Sequence, residues 1–228
     1  MPQHDIVYIL REDIDPGELR YSLRSLDNFP HRLVWFVGGK PEGITPDRQI
    51  VHKQQGPTKW DLIKSSMLRV TKEEELSASF FLFNDDFFVM KPFVGSWINY
   101  IDGTLADRVE QFRKENPWLN PYARTLFKAE QELKSLGAST FNFDVHLPML
   151  FEKDKIGNIM RCSSPQMRSV YGNLTGCEHR QHKDVKVYDM DKVPKCPDFL
   201  STNDNTFKAG KVGEFIRATF ATPSRFEQ

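Results

Sequence analysis

The chain has 228 residues, 39% of them hydrophobic, and 31 Lys+Arg set against 31 Asp+Glu give a formal charge of +0. That length suits one domain with a sizeable core, and the charge balance argues against a general nucleic-acid binder, which draws its affinity from surplus cationic side chains. No apolar run approaches the roughly 20 residues that span a bilayer, and three cysteines are too few for a disulfide framework in a chain this long, which favours a reducing, cytoplasmic setting. The N-terminus, Met1-Pro2-Gln3-His4-Asp5, lacks the basic-then-apolar layout of a signal peptide, so Asn173 of Asn173-Leu174-Thr175 is not expected to carry a glycan.

The first third alternates strand and helix. Asp5 to Leu10 is a short apolar run rich in β-formers and predicts a buried strand. Asp15 then reads as an N-cap, with Pro16 at the first helical position and Glu18 at the third. Leu19, Leu23 and Leu26 recur at helical spacing while Arg20 and Arg24 share another stripe, and Asn28 and Pro30 stop the helix. Arg32 to Val37 is the next strand, ended by Gly38-Gly39, so the three elements form a βαβ unit with parallel strands. Gln49 to His52 predicts a short strand, Trp60 to Val70 a helix, and Phe80 to Phe83 an apolar strand closed by Asn84-Asp85-Asp86. This is an α/β pattern. Leu105 to Glu115 and Tyr122 to Leu136 read as charged surface helices around a Pro117-Trp118-Leu119-Asn120-Pro121 turn, making 104–140 a lid-like helical insertion within one domain over 1–228. Phe151 to Met160 reads as a helix, Val185 to Tyr188 as a strand, His179 to Lys195 as a solvated hairpin, and Lys211 to Phe220 as a last helix before Pro223.

Phe80 to Met90 reads FFLFNDDFFVM, two adjacent carboxylates inside an apolar run. Carboxylates in such surroundings stay charged only when paired or metal-bound, and ligands of open parallel sheets bind beyond the carboxyl ends of the strands. Neighbouring residues of an extended chain point opposite ways, so one of Asp85 and Asp86 is expected to reach a ligand directly. The alternative is a strand-end turn in which either caps backbone amides. Arg20 and Arg24, four apart, match a phosphate clamp or a solvated face paired to Glu18 or Asp27. His146 stands beside Asp144 and Pro148; it suits a general base oriented by Asp144, or a structural histidine. Cys162, Cys177, His179, His182 and Cys196 crowd one stretch, and four of them could hold a structural zinc, though the spacing matches no regular knuckle. Asn203-Asp204-Asn205 is another oxygen-rich turn.

Four blocks in this order resemble the Stealth family of sugar-1-phosphate transferases, which includes bacterial capsular polysaccharide phosphotransferases and the catalytic core of lysosomal N-acetylglucosamine-1-phosphotransferase. They are Asp5-Ile6-Val7-Tyr8; Glu18 to Ser25 (ELRYSLRS) with the strand through Val37 and Phe83 to Asp86; His146-Leu147-Pro148 with Arg161; and Phe199 to Asn205 with Pro223 to Glu227. Residues 104–140 lie outside the match. The chain departs from the family pattern at Ile9 to Asp13, where members usually carry a Trp and a Gly-containing acidic loop, and at Gly38-Gly39-Lys40-Pro41.

The resemblance implies a mixed, mainly parallel sheet of nucleotide-sugar type, GT-A-like or Rossmann-like, a UDP-sugar donor, Mg²⁺ or Mn²⁺, and a glycan or other hydroxyl acceptor attacking the sugar-proximal phosphorus with release of UMP. Carried over residue by residue, Asp86 with Asp85 or Asp204 would hold the metal. Arg161 and Arg20 would hold the transferring phosphate, with Arg24, Asn84 and Asn203 as further substrate contacts. His146 would take the acceptor proton, with Glu18 as an alternative base or an anchor. Asp5 would be catalytic by the resemblance, although it begins its strand at the end away from the ligand crevice. The competing readings are a metal-dependent glycosyltransferase that releases UDP, a non-catalytic nucleotide-sugar binding module, and a phage enzyme acting on DNA bases, which the neutral charge does not support.

Overall fold

Asp5–Leu10 forms β1, buried along nearly its whole length because sheet lies on both sides of it and helices cover both faces. The computed structural model describes residues 4–53, 58–115 and 118–228; Met1-Pro2-Gln3 and Pro117 of the expected interhelical turn lie outside the described residues. α1 (Pro16–Ser25) starts at Asp15, whose carboxylate accepts from the Gly17 amide at 2.9 Å. β2 (Val34–Gly38), β3 (Arg48–Ile50), α2 (Lys59–Val70) and β4 (Ser79–Phe83) follow, and Thr58 and Asp61 close a reciprocal capping box at the start of α2. Next come β5 (Phe87–Val89), β6 (Asn99–Ile101), α3 (Leu105–Glu115), α4 (Pro121–Ser135) and β7 (Met149–Glu152). α5 (Met167–Thr175), β8 (His179–Gln181), β9 (Phe199–Ser201), α6 (Asp204–Ala209) and α7 (Lys211–Thr219) complete the chain.

The central sheet has the order β3-β2-β1-β4-β7, parallel except for β7, which runs antiparallel to β4. This is the mixed, mainly parallel α/β class expected. Successive side chains of β1 divide between two layers. Ile6, Tyr8 and Leu10 pack with Leu19 and Leu23 of α1, while Val7 packs with Met67 and Val70 of α2. α3 and α4 form their own apolar cluster, Leu105, Val109, Leu126 and Leu133, which docks on Val170 of α5.

Several elements differ from expectation. Residues 149–152 are a strand and 153–161 a 3-10 helix, where a helix over Phe151 to Met160 was expected. Met149 and Phe151 point the same way at period two, and Phe151 stacks on Phe80 across the β4–β7 pair, ring centroids 6.1 Å apart. Val185 to Tyr188 is no strand; it makes one parallel bridge, Lys186 to Ser201. The expected hairpin after His179 is absent because β8 pairs in parallel with β6 instead.

Asp5 is fully buried at the end of β1 opposite the strand carboxyl ends. Arg32 forks its carboxylate at 2.7 and 2.8 Å, and the Trp35 indole and the Leu33 and Ser77 amides also donate to it. Burial works to raise its pKa, but the Arg32 hydrogen bonds and the two amides outweigh burial and hold it below the ordinary value. Asp5 is therefore a tie between β1, β2 and the turn before β4, the structural ion pair that its place at the start of the strand left open beside catalysis.

Candidate active site

Chain continuation runs from β1 outward to β2 and β3 on one side and to β4 on the other, so a crevice opens at the carboxyl ends of β1 and β4. Arg11 leaves β1 there, and Asn84 and Asp85 leave β4. Gly38 takes a φ of 94°, and a Cβ on Gly39 would stand 1.9 Å from the Arg11 carbonyl oxygen. The glycine pair after β2 is thus what lets the loop after β1 fold against it and set Arg11 at the rim.

The acidic half of the crevice gathers Glu18 of α1, Asp85 and Asp204, with Arg11 and Lys208 at its edge. Burial, helped by Asp86, Asp85 and Asp204, pushes the Glu18 carboxyl up to about 7 against the Thr202 hydroxyl, which donates to it at 2.6 Å. Burial and the Asp86 charge push Asp85 up to about 6. Asp86 is 8% exposed. Its Oδ2 accepts from Lys186 Nζ at 2.9 Å and Ser201 Oγ at 3.1 Å, and its buried Oδ1 has no partner.

A second cleft of about 250 Å³ adjoins the first and shares Asn84 and Ile63 with it. His146, Arg168, Asp144, Trp60 and Tyr122 line it, so α4 contributes one wall. His146 Nδ1 lies 2.8 and 2.9 Å from the two carboxylate oxygens of Asp184, whose Oδ1 also accepts the His146 amide. With Nδ1 donating to Asp184, Nε2 is the imidazole nitrogen left to accept a proton. Asp144, expected to orient His146, instead accepts from Ser169 Oγ at 2.7 Å. The reason is local: residues 145–147 form a bend, so the alternation of an extended chain does not apply.

The expected phosphate clamp is also otherwise engaged. Arg20 and Arg24 both grip Glu227 at 2.7 Å, and Arg24 additionally donates to the Phe220 and Ala221 carbonyls. They fasten the C-terminal tail to α1, and neither lines the clefts described above. Asn203 also has a structural partner: its side chain caps α6 by accepting the Thr206 amide at 3.0 Å. Arg161 ends the 3-10 helix on the exposed surface and lines neither cleft. The three cysteines are free and separately placed, Cys162 buried, Cys177 half-buried and Cys196 exposed. His179 packs on Phe141 and Phe143, and His182 on Tyr100. These five side chains do not come together in one cluster.

Asp184, Lys186, Arg168 and Thr202 are the site residues that sequence reasoning missed. Asp184 and Lys186 stand in a segment with no regular pattern, and their partners are 38 and 100 positions away. The one signal was Asp184-Val185-Lys186 itself, an acid and a base two apart on an irregular chain.

Among the described residues, no three His, Cys, Asp or Glu side chains form a group that would hold a metal ion unaided. The orphaned Asp86 Oδ1 beside Asp85, with Glu18 and Asp204 contributing further negative charge, nevertheless fits a hard divalent cation of the kind that takes one or two carboxylates and completes its shell with water and substrate phosphates.

No protein-family model matches the chain, and no curated protein matches it. Among solved structures, apo mouse xyloside xylosyltransferase 1 aligns over 99% of this chain and 96% of its own, at 9% identity and a TM-score of 0.38. A likeness that distant carries no assignment. No described helix is long and apolar enough to cross a membrane.

Proposed function

We propose that the chain is a transferase that moves a sugar-1-phosphate from a nucleoside-diphosphate sugar to an acceptor hydroxyl. The observation that carries this reading is the His146–Asp184 pair, set in a cleft that opens through Asn84 onto the acidic crevice at the strand ends. The order of ELRYSLRS, FNDD, HLP and STNDN along the chain supports it as a resemblance.

In this reading the donor diphosphate lies across the β1–β4 crevice. Asp85 and Asp86, with Glu18 or Asp204, would hold Mg²⁺ or Mn²⁺, which supplies neutralisation of the pyrophosphate charge. His146 Nε2 accepts the proton of the acceptor hydroxyl while Asp184 stabilises the imidazolium that forms. The acceptor oxygen bonds to the sugar-proximal phosphorus, the bond from that phosphorus to the bridging oxygen breaks, and the nucleoside monophosphate leaves with that oxygen. Asn84, at the seam of the two clefts, is placed to orient the phosphate that both halves address. Lys186 fixes Asp86 in place through an ion pair at 2.9 Å.

Incubation of the protein with UDP-sugar, Mn²⁺ and hydroxyl acceptors, followed by separation of the nucleotides, tests the reading. UMP is the expected product. UDP alone assigns a glycosyltransferase, and donor binding without turnover assigns a binding module.

A further inference from the structure

Arg168 is a buried cation with no counter-ion in contact among the described residues. It is the second residue of α5 and 7% exposed. Its Nη1 donates to the Leu147 carbonyl at 2.5 Å and its Nη2 to Asn84 Oδ1 at 3.1 Å, both neutral acceptors. Its guanidinium carbon stands 5.2 Å from the centroid of the Phe87 ring, and the His146 ring lies against the same phenyl at 6.4 Å. Asp144 and Asp86 offset its charge through space only, and Asp144 is itself held by Ser169. Arg24, Arg32 and Arg225 by contrast fork carboxylates, those of Glu227, Asp5 and Asp47, while Arg217, which like Arg168 donates to a backbone carbonyl, is only half-buried. A guanidinium carries five N–H donors in a planar fork suited to phosphate oxygens. Two of the donors of Arg168 are used, and the group lines the cleft that contains His146.

We propose that Arg168 is the anion-holding residue of the His146 cleft and that a phosphoryl group sits between its guanidinium and the imidazole. The identity of that group as the sugar-proximal phosphate of the donor rests on the transferase reading above; the anion subsite itself rests on the buried, unpaired fork. The Leu147 carbonyl and Asn84 Oδ1 hold the guanidinium by two of its donors and Phe87 packs near it, which leaves the remaining N–H groups for an oxyanion. An anion held there places phosphorus, not the anomeric carbon, next to the base.

Isothermal titration of the whole protein with inorganic phosphate and with pyrophosphate at low ionic strength tests the proposal, with thermal melts confirming that each variant is folded. Wild type is expected to bind one anion, Arg168→Lys to lose part of the affinity because it keeps the charge without the fork, and Arg168→Gln to lose about tenfold or more. No binding by wild type overturns the proposal, as does unchanged affinity in Arg168→Gln. Should Arg168→Gln fail to fold, unchanged affinity in Arg168→Lys overturns it equally. The two readings separate cleanly. Anion binding that depends on Arg168 in a protein that turns over no nucleotide sugar keeps the subsite and removes the transferase. Turnover by wild type with phosphate affinity indifferent to Arg168 removes the subsite and keeps the transferase.

Discussion

Asp184 stands 38 positions from His146, yet both of its carboxylate oxygens lie within 2.9 Å of the imidazole Nδ1. Two residues further on, Lys186 reaches Asp86 beyond the end of β4. One short irregular segment therefore positions the proposed base and braces the carboxylate of the acidic crevice together. Burial works to raise the Asp184 carboxyl, but the His146 ring, through hydrogen bonding and charge, and the His146 and Lys186 amides together outweigh burial and hold it below the usual range, which keeps it an acceptor for the imidazole N–H.

If Asp184 acts through His146, its substitution changes turnover and leaves donor affinity alone. Asp184→Asn is expected to lower kcat by about 10- to 100-fold, and His146→Ala by about 100-fold or more, with donor KM nearly constant in both. Steady-state kinetics with saturating acceptor measure this. An unchanged kcat in Asp184→Asn would remove Asp184 from the mechanism.

Lys186 and Asp86 have side chains only 15% and 12% exposed. Removing the ammonium leaves a buried carboxylate uncompensated, so Lys186→Met is expected to cost about 3 kcal/mol or more. The double variant Lys186→Met, Asp86→Asn should recover much of that loss. Urea melts of the three variants close the cycle, and simple additivity would mean the pair is not coupled.

The proposed metal site at the Asp85 crevice gives a further prediction. Mn²⁺ is expected to raise the melting temperature of the wild type and to do so less in Asp85→Asn, while chelation stops turnover. Differential scanning fluorimetry with and without EDTA reads the first effect directly. Equal Mn²⁺ shifts in wild type and Asp85→Asn would exclude Asp85 as a ligand.

Glu227 carries the acid limb of stability. Burial works to raise its carboxyl, but the Arg24 fork, the Ser224 amide and Arg20 pull it down to about 2 from 4.5. A folded pKa below the unfolded one gives stabilisation that is complete above the unfolded value and disappears as pH falls through the folded value. The difference corresponds to about 3 kcal/mol at neutral pH, lost across the interval between those two values. Glu227→Gln is expected to lower stability at pH 7 by an amount of that order and to flatten the decline below pH 4.5. Melts across pH 2 to 7 provide the comparison.

Asp5 tests the division between holding the fold and doing chemistry. Asp5→Asn withdraws an acceptor from Arg32, Trp35, Leu33 and Ser77, and is expected to cost about 2–4 kcal/mol. At a temperature where the variant remains folded, kcat/KM should match the wild type. A large loss of kcat in the folded variant would return Asp5 to the catalytic set.

The parallel core was legible because its signals are local. The apolar run of β1, the Asp15-Pro16 start of α1 and the glycine pair after β2 each encode their element without help from distant residues. The acidic end of β4 was legible for the same reason, since two carboxylates in an aromatic run need a physical explanation. The partners of the site were not. Arg20 and Arg24 have the spacing of a phosphate clamp, and only the folded chain shows Glu227 already in their grip. Asn203 looks like a ligand-binding turn because N-caps and binding turns use the same side chains. Asp184 meets His146, and Arg168 the cleft, through tertiary packing alone, and Met149 with Phe151 hides a strand in four residues that a helical pattern fits equally well.

The bond that breaks in the donor is the most direct test. A UDP-sugar carrying ¹⁸O between the anomeric carbon and its phosphorus, turned over with an acceptor and followed by ³¹P NMR, reports the fate of that oxygen. Attack at phosphorus beside His146 predicts the label in the new phosphodiester and unlabelled UMP. Label recovered in released UDP would mean that the anomeric carbon is the centre attacked, and would contradict the account.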